Sequence, residues 1–277
     1  MIMQLTKHQF LQKARQLPGG ALWAFAIKQA WAALFGGLML GAIILTSFVD
    51  LPWLGRYDWL FLFALAIQGF MLAAKLEKPH EIITIFSFHL VGLAMDLFKT
   101  SSSVGSWSYP GEAFFMIGNV PLFAGFMYGA VGSYLARSWR VLNLSFSNYP
   151  RRRYTVLLAL AIYGNFFLDH YGYDIRYLLF IALAVLYGRV WVSYSINKTV
   201  RRMPIIVGFG LIALFIWLAE NIGTYSSTWL YPSQLDGWHV VGIQKLGSWL
   251  LLMVISFIMV DILYYLRTRR RGDSKAL

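Results

Sequence analysis

Eight apolar runs, each close to the thickness of a bilayer, constrain this chain more than any other feature in it. They cover roughly 30–49, 57–75, 81–98, 113–136, 154–169, 176–196, 204–222 and 247–266. About 20 residues of helix cross the hydrocarbon core. A backbone in lipid must satisfy its own hydrogen bonds, which leaves helices or closed barrels. Runs this long and this continuously apolar suit helices, so the expected fold is all-α: a polytopic transmembrane helix bundle of about eight spans. Seven of the eight prolines, all but Pro121, fall before, between or at the starts of these runs, where a missing N–H does little harm.

Charge sets the expected orientation. The chain carries a net charge of +12, yet only 13% of its residues are charged, against about a quarter in soluble domains. With the N-terminus inside, 20 of the 24 Lys and Arg residues fall on cytoplasmic segments, leaving Arg56, Lys99, Arg176 and Lys245 outside. That asymmetry places both termini in the cytoplasm and the protein in the cell (inner) membrane. The basic residues cluster at the ends of apolar runs, so Arg151-Arg152-Arg153 and Arg269-Arg270-Arg271 read as topology signals and anionic-lipid contacts, not as nucleic-acid sites. Residues 1–20 read as a cytoplasmic amphipathic lead, with no cleavable signal peptide expected. Residues 267–277 read as a basic cytoplasmic tail. The absence of cysteine excludes disulfides and thiolate metal sites.

Two halves of the chain echo each other. Phe48-Val49-Asp50 matches Phe167-Leu168-Asp169, and Arg56-Tyr57 matches Arg176-Tyr177. Ser106-Trp107-Ser108-Tyr109-Pro110 matches Thr228-Trp229-Leu230-Tyr231-Pro232, all three pairs in the same order. A four-span unit returns the chain to its starting side. Residues 21–153 and 154–266 are therefore expected to be tandem parallel repeats about an axis along the membrane normal. Interfacial aromatics unrelated by duplication are the alternative.

The acids gather on the expected outer side: Asp50, Asp58, Asp96, Glu112, Asp169, Asp174, Glu220 and Asp236, with His89, His170 and His239. Intramembrane ionisable groups usually mark function. On the third run His89 and Asp96 share a helix face about 10 Å apart along the axis, and Lys99 is in reach of Asp96 as an ion pair. The deeper His89 reads as an inward-facing polar residue. Glu220, followed by Asn221, enters from a strongly apolar background and suits a proton donor. In the fourth run Pro121 is expected to kink the helix and free the carbonyl of Ile117, opening a cavity for Asn119, while Gly125, Gly129 and Ser133 form a small-residue packing face. No zinc-protease, Asp-rich or phosphate-loop pattern is present, so no metal and no cofactor are expected.

The phrases from Lys99 through Trp107-Ser-Tyr-Pro, and Asn119-Val-Pro-Leu-Phe-Ala-Gly-Phe-Met-Tyr-Gly-Ala-Val-Gly-Ser-Tyr, resemble the YoaT-like bacterial membrane proteins of domain of unknown function 817. That resemblance implies a multi-pass inner-membrane protein and supplies no activity. The stretch from Glu220 to Tyr231 is similar to an acid-plus-glycine-aromatic pattern of CruF-type carotenoid hydratases, with Ser227 in place of the second glycine.

These readings make a membrane enzyme acting on a lipid or isoprenoid at the outer half of the bilayer the leading expectation. Glu220, Asp96 and His89 would do acid–base chemistry. Trp107, Tyr109, Trp229, Tyr231, Asn119, Lys99, Asn221, Asp169 and His170 would bind substrate. The expected partners are membrane lipids and that apolar ligand, with no nucleic acid. A small-solute or proton-coupled transporter and a membrane scaffold remain as alternatives.

Overall fold

The structure, a computed structural model, describes residues 20–270 except Lys198, without the side chains of Pro79, His80 and residues 268–270. The expected lead before residue 20 and the tail beyond residue 270 lie outside the described residues. Helices α1 (Gly20–Ala32), α2 (Leu34–Phe48), α3 (Arg56–Ala73) and α4 (Pro79–Lys99) open the chain. After a tiny hairpin, β1 (Met116–Ile117) and β2 (Val120–Pro121), comes α5 (Phe123–Val141). Strand β3 (Ser145–Ser147) leads to α6 (Arg152–Leu168) and α7 (Arg176–Tyr187). Strands β4 (Trp191–Ile196) and β5 (Thr199–Pro204) precede α8 (Ile205–Tyr225) and α9 (Gln244–Arg270).

Every apolar run holds a helix, but three expectations change. First, the fold is mostly helical rather than all-α, because β3, β4 and β5 form an antiparallel sheet. The run at 176–196 ends as helix at Tyr187. Its last third, Trp-Val-Ser-Tyr-Ser-Ile, alternates faces and pairs with β5 across a turn in which Asn197 has φ of 50°, a conformation hairpin turns favour in Asn.

Second, Pro121 kinks no helix. Gly118-Asn119 makes the turn of the β1–β2 hairpin, with Gly118 at φ of 56°, and Pro121 lies in β2, two residues before α5 begins.

Third, the first run bends by 72° between α1 and α2. Such a break frees backbone carbonyls that lipid cannot hydrate. Arg137, 1% exposed, meets two of them, donating to Trp31 O at 2.5 Å and Ala32 O at 3.2 Å, and reaches Leu76 O at 2.9 Å as well.

Among the described residues three helical stretches are long and apolar enough to cross a membrane: Glu81–Lys99, Ile205–Tyr225 and Gln244–Arg267. The bent α1–α2 pair makes up to four. Their outer faces are apolar and exposed: Val207, Leu211, Leu214, Phe215 and Leu218 run along α8. A continuous exposed apolar face of that length suits lipid rather than water as solvent. This is a membrane protein.

Helices α5 and α8 each run between two ends of the bundle. One end carries the sheet, and the other carries the Trp107 and Trp229 loops. Helix α5 packs tightly on α4, because Ile85, Phe88, His89 and Gly92 form one face of α4 against a small-residue stripe. A Cβ on Gly125 would meet the His89 ring at 2.4 Å, one on Gly129 would meet Ile85 at 3.1 Å, and one on Gly132 would meet Phe88 at 2.7 Å. Helices α5 and α9 meet at the centre, α2 contacts α8, and α4 contacts α6. One apolar core lies among α2, α3 and α5, and a second among α6–α9.

Candidate functional site

The two Trp-x-Tyr-Pro loops meet. Ser108 and Leu230 form an antiparallel bridge, each N–H donating to the other's carbonyl at 2.9 Å. This junction fixes two tyrosines over two buried acids. Asp96, wholly buried near the end of α4, accepts from Tyr109 and from Tyr128 of α5, both at 2.5 Å. Glu220, 3% exposed near the end of α8, accepts from Tyr231 and from the Trp249 indole of α9. A buried carboxylate needs such partners, and an indole N–H can only donate. Each acid therefore ties its helix to a loop and to a neighbouring helix. Burial pushes the phenols of Tyr109 and Tyr231, both outside the spanning helices, well above the usual tyrosine range. Asp96 beside the first and Glu220 beside the second push the same way.

Neighbouring residues lock the junction further. Arg56 donates to Ser226 O at 2.6 Å, Thr228 Oγ1 at 2.9 Å and Ile43 O at 3.0 Å, joining α2, α3 and the Trp229 loop. Tyr57 donates to Thr228 O at 2.9 Å. Asp58 accepts from Phe114 N and Phe115 N at 3.0 and 2.8 Å.

Below the junction lies a cavity of about 1270 Å³, larger than the roughly 300–1,000 Å³ of ordinary small-molecule pockets. Residues of α8 line it from Ile205 to Glu220, about 22 Å of helix at ~1.5 Å per residue. Its walls are apolar for most of that length. The lining residues Ala26, Ala30, Gly37, Leu211 and Phe215 are exposed, so the cavity opens sideways between the α1–α2 elbow and α8. Its polar end lies at the Trp loops, where Lys99, Asp169, Arg176, Glu220 and Lys245 reach it together with Trp107, Tyr109, Trp229 and Tyr231.

The residues selected from the sequence divide accordingly. Glu220, Trp107, Tyr109, Trp229, Tyr231, Lys99 and Asp169 line the cavity; Asp96, His89, Asn119, Asn221 and His170 do not. Lys99 pairs with Asp169 at 2.6 Å rather than with Asp96, whose oxygens are held by the tyrosines. His89 packs its ring against Phe86 and Phe126. Asn119 caps Thr100 O at 3.2 Å from the β1–β2 turn, so no kink opens a cavity for it. Asn221 accepts from Val241 N at 2.9 Å and holds the loop before α9. His170 is exposed and meets the Tyr171 ring edge-to-face. Among the described residues no three His, Asp or Glu side chains are grouped to hold a metal.

Tyr128, Trp249 and Lys245 were not selected from the sequence. Tyr128 and Trp249 follow the two Trp-x-Tyr-Pro phrases at nearly equal distances, which is the sequence signal for them.

Among solved structures, the chain is similar to a mycobacterial Insig homolog, MvINS from Mycobacterium vanbaalenii, with a TM-score of 0.49 and 14% identity over 68% of this chain and 95% of that one. A cross-linked trimer of MvINS gives 0.48 at the same identity and coverage. The similarity of the Glu220–Tyr231 stretch to carotenoid hydratases has no counterpart in these comparisons. The chain is 42% identical to the Uncharacterized protein YoaT of Bacillus subtilis (strain 168) over 236 residues, which is 85% of this chain and 89% of that protein. Residues 21–257 match the family described as Protein of unknown function (DUF817), and with more than four-fifths of its length so covered the chain belongs to that family.

Proposed function

We propose that this protein admits a lipid or isoprenoid from the bilayer into its cavity, with Glu220 as the acid positioned to exchange a proton with the bound molecule. The observation that carries this reading is the apolar cavity with a sideways opening and a polar end at the Trp loops. Of the two acids selected as proton donors, Glu220 lines the cavity, whereas Asp96 is enclosed by its tyrosines. Asp96 is therefore assigned to holding α4, and Glu220 to the chemistry.

The same proposal includes two four-helix repeats, α2–α5 and α6–α9, giving eight membrane segments about a central axis. Its support is the pairing of the matched loops at Ser108 and Leu230 and the matching partner sets of Asp96 and Glu220. Contacts of α2 with α8 and of α4 with α6 relate the halves reciprocally. The basic end with the sheet, bearing Arg151, Arg152, Arg153, Arg201 and Arg202, would face the cytoplasm.

The test is mass spectrometry of lipid copurifying with the detergent-extracted protein, comparing wild type with Ala219→Trp, which fills the cavity, and Glu220→Gln. The expected result is a lipid or isoprenoid retained by wild type, absent from Ala219→Trp, and present in altered proportion or chemical form in Glu220→Gln. Identical bulk lipid in all three would refute the proposal.

A further inference from the structure

The polar end of the cavity is cationic in an uneven way. Lys99 is neutralised by Asp169 at 2.6 Å, and Arg176 is paired with Asp174. Lys245 has no carboxylate within ion-pair distance among the described residues. Its ammonium rests on the Tyr231 ring, 4.1 Å from the centroid. Glu220 and Asp169 are the acids in electrostatic reach, but the oxygens of Glu220 already accept from Tyr231 and Trp249, and Asp169 is paired with Lys99.

The placement of Lys245 is costly in two further respects. It lies in the first turn of α9, which contains no acidic residue, so its charge opposes the positive end of that helix. It is also half-buried at the start of the spanning stretch Gln244–Arg267, where an uncompensated charge is expensive. Ser233 and Gln244 line the same end of the cavity and offer neutral donors. A built cavity with a long apolar body and a cation short of a partner at one end is complementary to an amphiphile with an anionic head.

We infer that the ligand carries a phosphate-class headgroup, seated against Lys245 with Lys99 and Arg176 flanking it, and an apolar tail that runs down the cavity. This rests on the cavity reading of the preceding section and names the ligand's chemistry. The phosphate can belong to an isoprenyl monophosphate or to a phospholipid.

The test uses the purified full chain in a neutral detergent, titrated with four probes and read by tryptophan fluorescence, since Trp107, Trp229 and Trp249 line the cavity. The probes are geranylgeranyl monophosphate, dioleoyl phosphatidic acid, geranylgeraniol and dioleoylglycerol. At least one phosphate is expected to bind roughly tenfold or more tightly than its uncharged counterpart, the scale of a charge-assisted contact. Lys245→Met should abolish that preference while still binding the uncharged probe, which also reports that the variant is folded. Lys245→Arg should keep the preference. The tighter of the two phosphates identifies the source. Equal binding of charged and uncharged probes by wild type would overturn the headgroup assignment and leave the cavity reading standing. Binding of none of the four would overturn both. A phosphate preference that survives Lys245→Met would overturn the role of Lys245.

Discussion

Replacing both Tyr109 and Tyr128 by Phe tests whether Asp96 is a structural anchor. The carboxylate is wholly buried, and each phenol donates to it at 2.5 Å. A hydrogen bond to a charged group contributes about 1.5–3 kcal/mol, so each single Phe variant should lose about that much. The double variant strands a buried carboxylate, for which losses of about 3–5 kcal/mol are typical. In a chain of this size 1 kcal/mol moves the melting temperature by about 2–4 °C, so the double variant should melt roughly 6–20 °C below wild type. Thermal unfolding in detergent, followed by tryptophan fluorescence, measures this. Adding Asp96→Leu to the double variant should recover most of the loss, because removing every partner of a polar contact costs less than orphaning one of them. A double variant that melts with wild type, or a triple variant no better than the double, would refute the anchoring role.

Two further outcomes follow from the packing. Arg137→Met removes the guanidinium from the carbonyls of Trp31 and Ala32, while Leu76 O keeps its bond from Arg140; it should cost about 3 kcal/mol and be visible as a lowered melting temperature, whereas an unchanged melt would mean the α1–α2 elbow does not depend on it. Gly92→Ala would place a Cβ 2.3 Å from the Tyr128 ring; it should displace that tyrosine from Asp96 and destabilise the protein by about 1–3 kcal/mol, while Gly41→Ala, with open space around it, should melt as wild type.

The sequence by itself determined the solvent and the inventory of the fold. Runs of about 20 continuously apolar residues suit helices as the way to meet their backbone hydrogen bonds in lipid, and a helix appears in every one of them. The repeated Trp-x-Tyr-Pro phrases, and the acids that precede them, were legible for the same local reason: they are strings at matched spacing. Of the small-residue stripe Gly125, Gly129 and Ser133, the two glycines pack on α4, whereas Ser133 donates to Glu77 just before that helix.

What only the tertiary structure decided is which polar groups meet. Lys99 lies three residues after Asp96, yet it pairs with Asp169, 70 residues away, because Tyr109 and Tyr128 arrive from other elements and occupy the carboxylate first. His89 shares a helix face with Asp96 but packs on Gly125, where the absence of a Cβ leaves room for its ring. Pro121 looked like a kink because its neighbours are apolar, whereas the Gly118-Asn119 turn folds them into a hairpin. The α1–α2 break, and with it one wall of the cavity, depends on Arg137 reaching back about a hundred residues to the freed carbonyls of Trp31 and Ala32. Local spacing specifies helices, but the partners of a buried charge are chosen by chain segments that sequence distance does not bring together.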